Sequence, residues 1–180
     1  KGLKLEGPLS LPALDVEAVV GGDGKFQSVK FSGPDKLSGT ISPQGAEAAI
    51  EMTAESYTSP FLPGFKLSDF GLKATASRTG LAISKFDSRL YDGVVAGNGR
   101  VRWGATWTVD GEVKAKNLNA AVFAPALVSD GRLDARAGYA MSGADPTKLA
   151  DSLRLDGTFT VSKAVIGSFD IARAVQSGGT

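Results

Sequence analysis

The stretch from Leu90 to Leu118, LYDGVVAGNGRVRWGATWTVDGEVKAKNL, alternates between two kinds of residue along almost its whole length. One parity carries Tyr91, Gly93, Val95, Gly97, Gly99, Val101 and Trp103; the other carries Asp92, Val94, Ala96, Asn98, Arg100 and Arg102. Beyond Gly104 the pattern resumes, with Ala105, Trp107, Val109, Gly111, Val113 and Ala115 set against Thr106, Thr108, Asp110, Glu112, Lys114 and Lys116. A period of two belongs to strands with one wet face and one apolar face. The stretch therefore predicts two antiparallel strands, 91–103 and 105–117, turning at Gly104. At roughly 3.3 Å per residue the first would span about 40 Å, where ordinary strands run about 17–20 Å. Its apolar face is half glycine and alanine, whereas a sheet packed on another sheet fills its interior with bulk.

The rest of the chain continues in this style. Alternating runs predict further strands near 3–7, 14–22, 25–33, 36–42, 45–54, 67–77, 80–89, 131–142 and 153–163. Gly21-Gly22-Asp23-Gly24 reads as a hairpin turn, and the Pro-rich link from Thr58 to Phe65 interrupts the rhythm. Helical signals are few. Asn117 to Leu127 offers one or two turns, capped at Asn117 or Asn119 and broken by Pro125. Asp145 to Leu153 starts well, with Asp145 as cap and Pro146 at the first helical position. Ser168 to Ser177 spaces Phe169, Ala172 and Val175 as a short amphipathic helix with Gly178 as its stop. The fold class expected is mainly β: a long, twisted, antiparallel meandering sheet curved into a groove, with one to three short helices. We read residues 1–180 as a single groove domain, with a strand-rich part at 1–57 and a second part at 66–177.

Composition narrows the chemistry. The 180-residue chain contains no cysteine and no histidine, so neither a Ser-His or Cys-His nucleophile nor a typical zinc site can be assembled. No cofactor or metal is expected, and the chain is read as non-enzymatic. The 20 Lys and Arg residues are dispersed and balanced by 19 Asp and Glu, so no nucleic-acid footprint is expected. No apolar run reaches the roughly 18 residues of a membrane-spanning helix. The chain starts at Lys1 and is read as a piece of a longer protein, with an anchor or targeting signal expected outside it.

Each candidate site has a plain structural reading beside it. Asp87 and Asp92 flank Leu90-Tyr91 as a conceivable acid–base pair, although solvated turn and edge positions account for them better. Arg100, Arg102, Lys114 and Lys116 share the polar parity with Asp110 and Glu112, a pattern of cross-strand ion pairs or of contact with anionic headgroups. Trp103 and Trp107 either plug one end of the sheet or guard the mouth of an apolar site. The apolar face is the main candidate. On it lie Tyr91, Val95, Gly97, Gly99, Val101, Trp103, Trp107, Val109, Val113, Leu133, Tyr139, Phe159 and Val161, with small residues between them. Small residues leave room for close backbone approach or for a ligand, and acyl chains suit such a trough at about 0.8 kcal/mol per buried CH2. Tight packing against a helix explains the same composition.

From about Phe70 to Ser177 the sequence resembles the C-terminal region of the AsmA family, envelope proteins related to TamB and to bridge-like lipid-transfer proteins. The resemblance rests on FDSRLYDGVVAGNGRVRWGATWTVDGEVKAKNLN (Phe86 to Asn119), similar to the family's Tyr-x-Gly turn, glycine-rich strand and following long strand. It rests also on LRLDGTFTVSKAVIGSFDIARAV (Leu153 to Val175), with Gly167, Phe169, Asp170 and Ile171 at the family's Gly-x-Phe-Asp-Ile/Leu positions. Where the family often has glycine, this chain has Lys163 or Ala164. The resemblance implies an inner-membrane anchor through an N-terminal helix outside this chain and a periplasmic location. It further implies phospholipid or other acyl lipid as ligand, a part in outer-membrane lipid homeostasis, and envelope proteins as possible partners. It carries no catalytic residue.

Overall fold

The computed structural model describes residues 13–58, 64–123, 125 and 128–166. Ten strands follow one another: β1 (Asp15–Val20), β2 (Phe26–Ser32), β3 (Ser38–Gln44), β4 (Glu47–Thr58) and β5 (Lys66–Ala76) come first. β6 (Gly80–Leu90), β7 (Gly93–Arg102), β8 (Trp107–Asn119), β9 (Val128–Gly143) and β10 (Arg154–Ile166) complete them. They form a single antiparallel sheet in sequence order, open at β1 and β10 and curved. The meander expected from the alternation is therefore the architecture. β4 and β5 pair directly, so the parts on either side of the Pro-rich link share one sheet. The strand expected at 3–7 and the helix expected at Ser168 to Ser177 lie outside the described residues.

Among the described residues only two elements are not strands. The helix α1 (Ala120–Phe123) is one turn long, within the one or two turns expected between Asn117 and Leu127. The Asn119 side chain caps it by accepting from the Ala121 amide at 3.1 Å, while Asn117 stays within β8 with φ 57°. The segment Pro146–Ser152 is a 3-10 helix with Asp145 as its cap and Pro146 at its start. The Asp145 carboxylate accepts from the Thr147 amide at 2.9 Å and from its hydroxyl at 2.7 Å, as the start signal required.

Turns correct two details of the sequence reading. β6 and β7 are joined by Tyr91-Asp92, both left-handed (φ 46° and 65°), the twist that two-residue hairpins favour. Tyr91 is thus a turn residue rather than the first residue of a strand. β7 and β8 are joined by Trp103–Thr106, and Val101 pairs with Val109. The hairpin centres on Ala105, one residue beyond Gly104, so partners shift by two and every side chain keeps its expected face. The Gly21–Gly24 turn forms as expected, with the Gly24 amide donating to the Gly21 carbonyl at 2.9 Å.

Register shifts occur near Asp69 in β5, Asn117 in β8 and Lys163 in β10. Each of these residues has positive φ: 51°, 57° and 52°. Such bulges bend a strand and increase its twist. They lie towards the same end of the strands as the Tyr91-Asp92 turn, where they help to curl the sheet. A left-handed conformation is unfavourable for a residue with a Cβ. Lys163→Gly is accordingly expected to raise stability by about 0.5–1 kcal/mol, measured by urea unfolding. A lowered midpoint would contradict the assigned bulge.

Candidate functional site: an apolar trough

The strand pairings place apolar side chains on one face across the whole sheet. One row runs edge to edge: Val16, Phe31, Gly39, Met52, Leu72, Phe86, Gly97, Val113, Ala137 and Gly157, each the register partner of the next. At about 4.8 Å between strands this floor is roughly 43 Å long, at right angles to the strands. Its composition changes at Phe86. On β2 to β6 it is mostly bulky; on β7 to β10 it is Gly97, Val113, Ala137 and Gly157.

The buried side chains in strands lie on this face, and all but Ala74 and Ser88 fall into three clusters. Val101, Val109 and Met141 form one with Leu149, and Leu81, Trp103, Trp107 and Tyr139 pack against it. Leu90, Val95 and Leu118 form another towards the opposite strand ends, joined by Phe65, Leu67, Tyr91, Ala115 and Leu133. The third, Leu37, Ala54 and Phe70, draws in Phe31, Met52, Leu72 and Phe86 of the bulky half. An open sheet can hide side chains in this way only by curling towards them. The β7–β10 floor therefore runs between two packed rims, with Met141 and Leu149 on one side and Leu118 and Leu133 on the other.

The sequence-derived site residues mostly meet on this face. Gly97 pairs with Val113, Gly99 with Gly111, Val101 with Val109 and Val95 with Ala115. Leu133 pairs with Val161, and Phe159 with Ala135. Tyr91 contributes from its turn, its ring centroid 6.5 Å from that of Phe65. Trp103 and Trp107 sit 5.9 Å apart at a 45° tilt in the Leu149 cluster. The Trp103 indole N–H donates to the Arg78 carbonyl at 2.9 Å. Of the two readings offered for these tryptophans, packing at one strand end describes their surroundings.

The expectation of free space above the glycines needs correction. A methyl group on Gly97 would fall 2.8 Å from the Phe86 ring and onto the carbonyl oxygen of Glu112. One on Gly111 would lie 2.7 Å from the Tyr139 hydroxyl, which also covers Gly99. The glycines are small because aromatic rings from β6 and β9 lie over them. The Tyr139 hydroxyl donates to the Asn98 carbonyl at 3.2 Å. Burial, helped by the negative charge of Asp110, holds its pKa above the usual tyrosine value. Val113 and Ala137 remain half-buried and Gly157 exposed; a methyl group on Gly157 would meet the Ala137 side chain at 2.7 Å, and beyond it on β10 Leu155 is 63% and Phe159 74% exposed.

Phe86 and Leu149 were missed by the sequence reading. Phe86 had a signal: LAISKFDSRL slips period between Ile83 and Phe86, where the structure has a register shift. Leu149 had only its place in the capped segment.

The opposite face carries the charges. Asp110 binds Arg102 at 3.0 Å and Arg100 at 3.4 Å, Glu112 binds Arg136 at 3.1 Å, and Glu51 binds Lys73 at 2.9 Å. Lys114 and Lys116 make no ion pair among the described residues. Asp87 is held by Lys85 at 2.9 Å, and Asp92 lies in its turn, so no acid–base cleft joins them. Two open hollows, of about 600 and 820 Å³, border Glu17, Lys30 and Glu51 in one case and Arg100, Asp110 and Arg154 in the other. Their mixed charges favour neither anion nor cation. Among the described residues no cluster of acidic side chains could hold a metal, and no helix is long and apolar enough to cross a membrane.

The chain matches no protein-family model, no curated protein and no solved structure.

Gly97 and Gly104 offer a contrast. Gly97→Ala would force a methyl group against Glu112 and Phe86, and is expected to cost about 1–3 kcal/mol. Gly104 has nothing within 4 Å of an added methyl, so Gly104→Ala should stay within about 0.5 kcal/mol of wild type. Chemical denaturation measures both, and equal effects would contradict the covered-glycine arrangement. Acid should act on the Asp145 cap. The Thr147 hydroxyl and amide hold this carboxyl below its usual pKa, so its contribution is full above about pH 4 and lost as pH falls through the lowered value. Asp145→Asn should remove that step from an acid titration followed by tryptophan fluorescence; an unchanged step would assign the transition elsewhere.

Proposed function

We propose that this chain is a non-enzymatic, lipid-binding segment in which the apolar face shelters the acyl chains of a phospholipid or related lipid. The observation that carries this reading is the floor over β7 to β10: apolar, poor in bulk, walled on both sides, and open at β10 beside exposed Leu155 and Phe159. A side chain as large as Phe159 left 74% exposed is a stable arrangement when something apolar covers it. Acyl chains fit a long, continuous trough because each CH2 removed from water contributes about 0.8 kcal/mol without demanding a precise shape.

The sequence resemblance to the AsmA C-terminal region points the same way. On that reading the chain works in the periplasm as part of an inner-membrane-anchored protein, passing lipid towards the outer membrane. A second reading, a structural module that docks an envelope partner or caps such a groove, is favoured by one observation: β10 is an open edge as well as an exposed apolar surface.

Native mass spectrometry of the purified chain, with solvent extraction of what it carries, tests the proposal. The expected result is a co-purifying phospholipid, and loss of most of it in Leu155→Ser/Phe159→Ser with the thermal midpoint little changed. Protein that stays empty in every preparation, and after incubation with phospholipid vesicles, would overturn it.

A further inference from the structure

The most deeply buried side chain described comes from no strand. Leu149, 1% exposed, belongs to the 3-10 helix between β9 and β10 and packs with Val101, Val109 and Met141. The attachments of this helix are few. The Ser142 amide in β9 donates to the Ser152 hydroxyl at 2.8 Å, and that hydroxyl donates to the Leu149 carbonyl at 2.9 Å. The other polar bonds described are local: Thr147 to Asp145, Lys148 to the Asp145 carbonyl, and Leu153 to the Ala150 carbonyl. Its other buried side chain is Pro146. The strands beneath, by contrast, hold each other through long ladders, unbroken from Trp107 to Ala115 between β8 and β9 and from Arg154 to Ser162 between β9 and β10.

We propose that the segment from Asp145 to Leu153 is a latch that opens while the sheet stays folded. Its release withdraws Leu149 and uncovers Val101, Val109, Met141 and the two tryptophans as a continuation of the trough. The helix makes its own internal bonds and adds no strand to the sheet, so lifting it breaks no ladder. Apart from Leu149 and Pro146 the helix buries no side chain, so its opening breaks the contacts of two side chains rather than a sheet, as locally opening units do. Leu149 lies where one rim meets the floor, so the latch sets whether that rim is closed or extends the apolar surface. The role for the trough rests on the lipid-binding reading, but opening itself is observable without lipid.

Native-state hydrogen exchange on the whole chain tests the latch, with 8-anilinonaphthalene-1-sulfonate and tryptophan emission as second readouts. In the wild type, amides of 147–153 should exchange by an opening distinct from that of β7 to β9. Leu149→Ala should speed their exchange at least about tenfold, shift tryptophan emission to the red and increase dye binding, with protection in β7 to β9 retained. Should Leu149→Ala not fold, Ser152→Ala, which loosens only the hydroxyl anchor, should show the same pattern more weakly. Exchange of 147–153 only together with β7 to β9, or uniform loss of protection in either variant, would overturn the latch. That result would leave the lipid-binding proposal standing, while a working latch on a chain that never takes up lipid would overturn that proposal alone.

Discussion

A sheet ten strands wide with no second layer among its described residues must shield its apolar face by its own shape. Flat, it would leave a continuous row of side chains from Val16 to Gly157 facing water. Curling brings the ends of the strands over their own middle, and the burial pattern follows: Val101, Val109 and Met141 at one rim, Leu90, Val95 and Leu118 at the other. Bulges at Asp69, Asn117 and Lys163 supply local bending. The floor between the rims cannot be shielded in this way, and on β7 to β10 it remains partly open.

Glycine and aromatic residues divide the work along that floor. Phe31 covers Gly39, Phe86 covers Gly97, and Tyr139 covers Gly99 and Gly111. A ring lying across a neighbouring strand protects backbone that glycine would otherwise expose, and glycine leaves the ring room to lie flat. Phe86 therefore marks a physical boundary. On its β2–β6 side the trough is filled by its own side chains, and on its β8–β10 side it is not. The half with the open floor is the stretch proposed above for ligand contact.

Much of the fold was legible because alternation is a local property. Strands expected at 80–89 and 131–142 are found as Gly80–Leu90 and Val128–Gly143, and Asp145-Pro146 starts a helix because cap chemistry acts over a few residues. The faces survived a misplaced turn because the error was an even shift. What failed was non-local. Which ring lies over which glycine depends on cross-strand register, which no single strand encodes, so Gly97 read as a gap when Phe86 fills it. Tyr91 adopts left-handed backbone with no warning from its residue type, whereas Asp69 and Asn117 belong to types that tolerate it. Leu149 closes a rim through a connection, where periodicity is silent.

On the proposed function, an apolar chain lies along the floor over β7 to β10. Paramagnetic broadening of backbone amides by a doxyl-labelled fatty acid, titrated into isotopically labelled protein, tests it most directly. Broadening concentrated at Val113, Ala137, Gly157 and their neighbours on β10, fading beyond Phe86 towards β2, is the result this account requires. Broadening centred on the charged face around Arg100, Asp110 and Glu112, or none at saturating ligand, would contradict it.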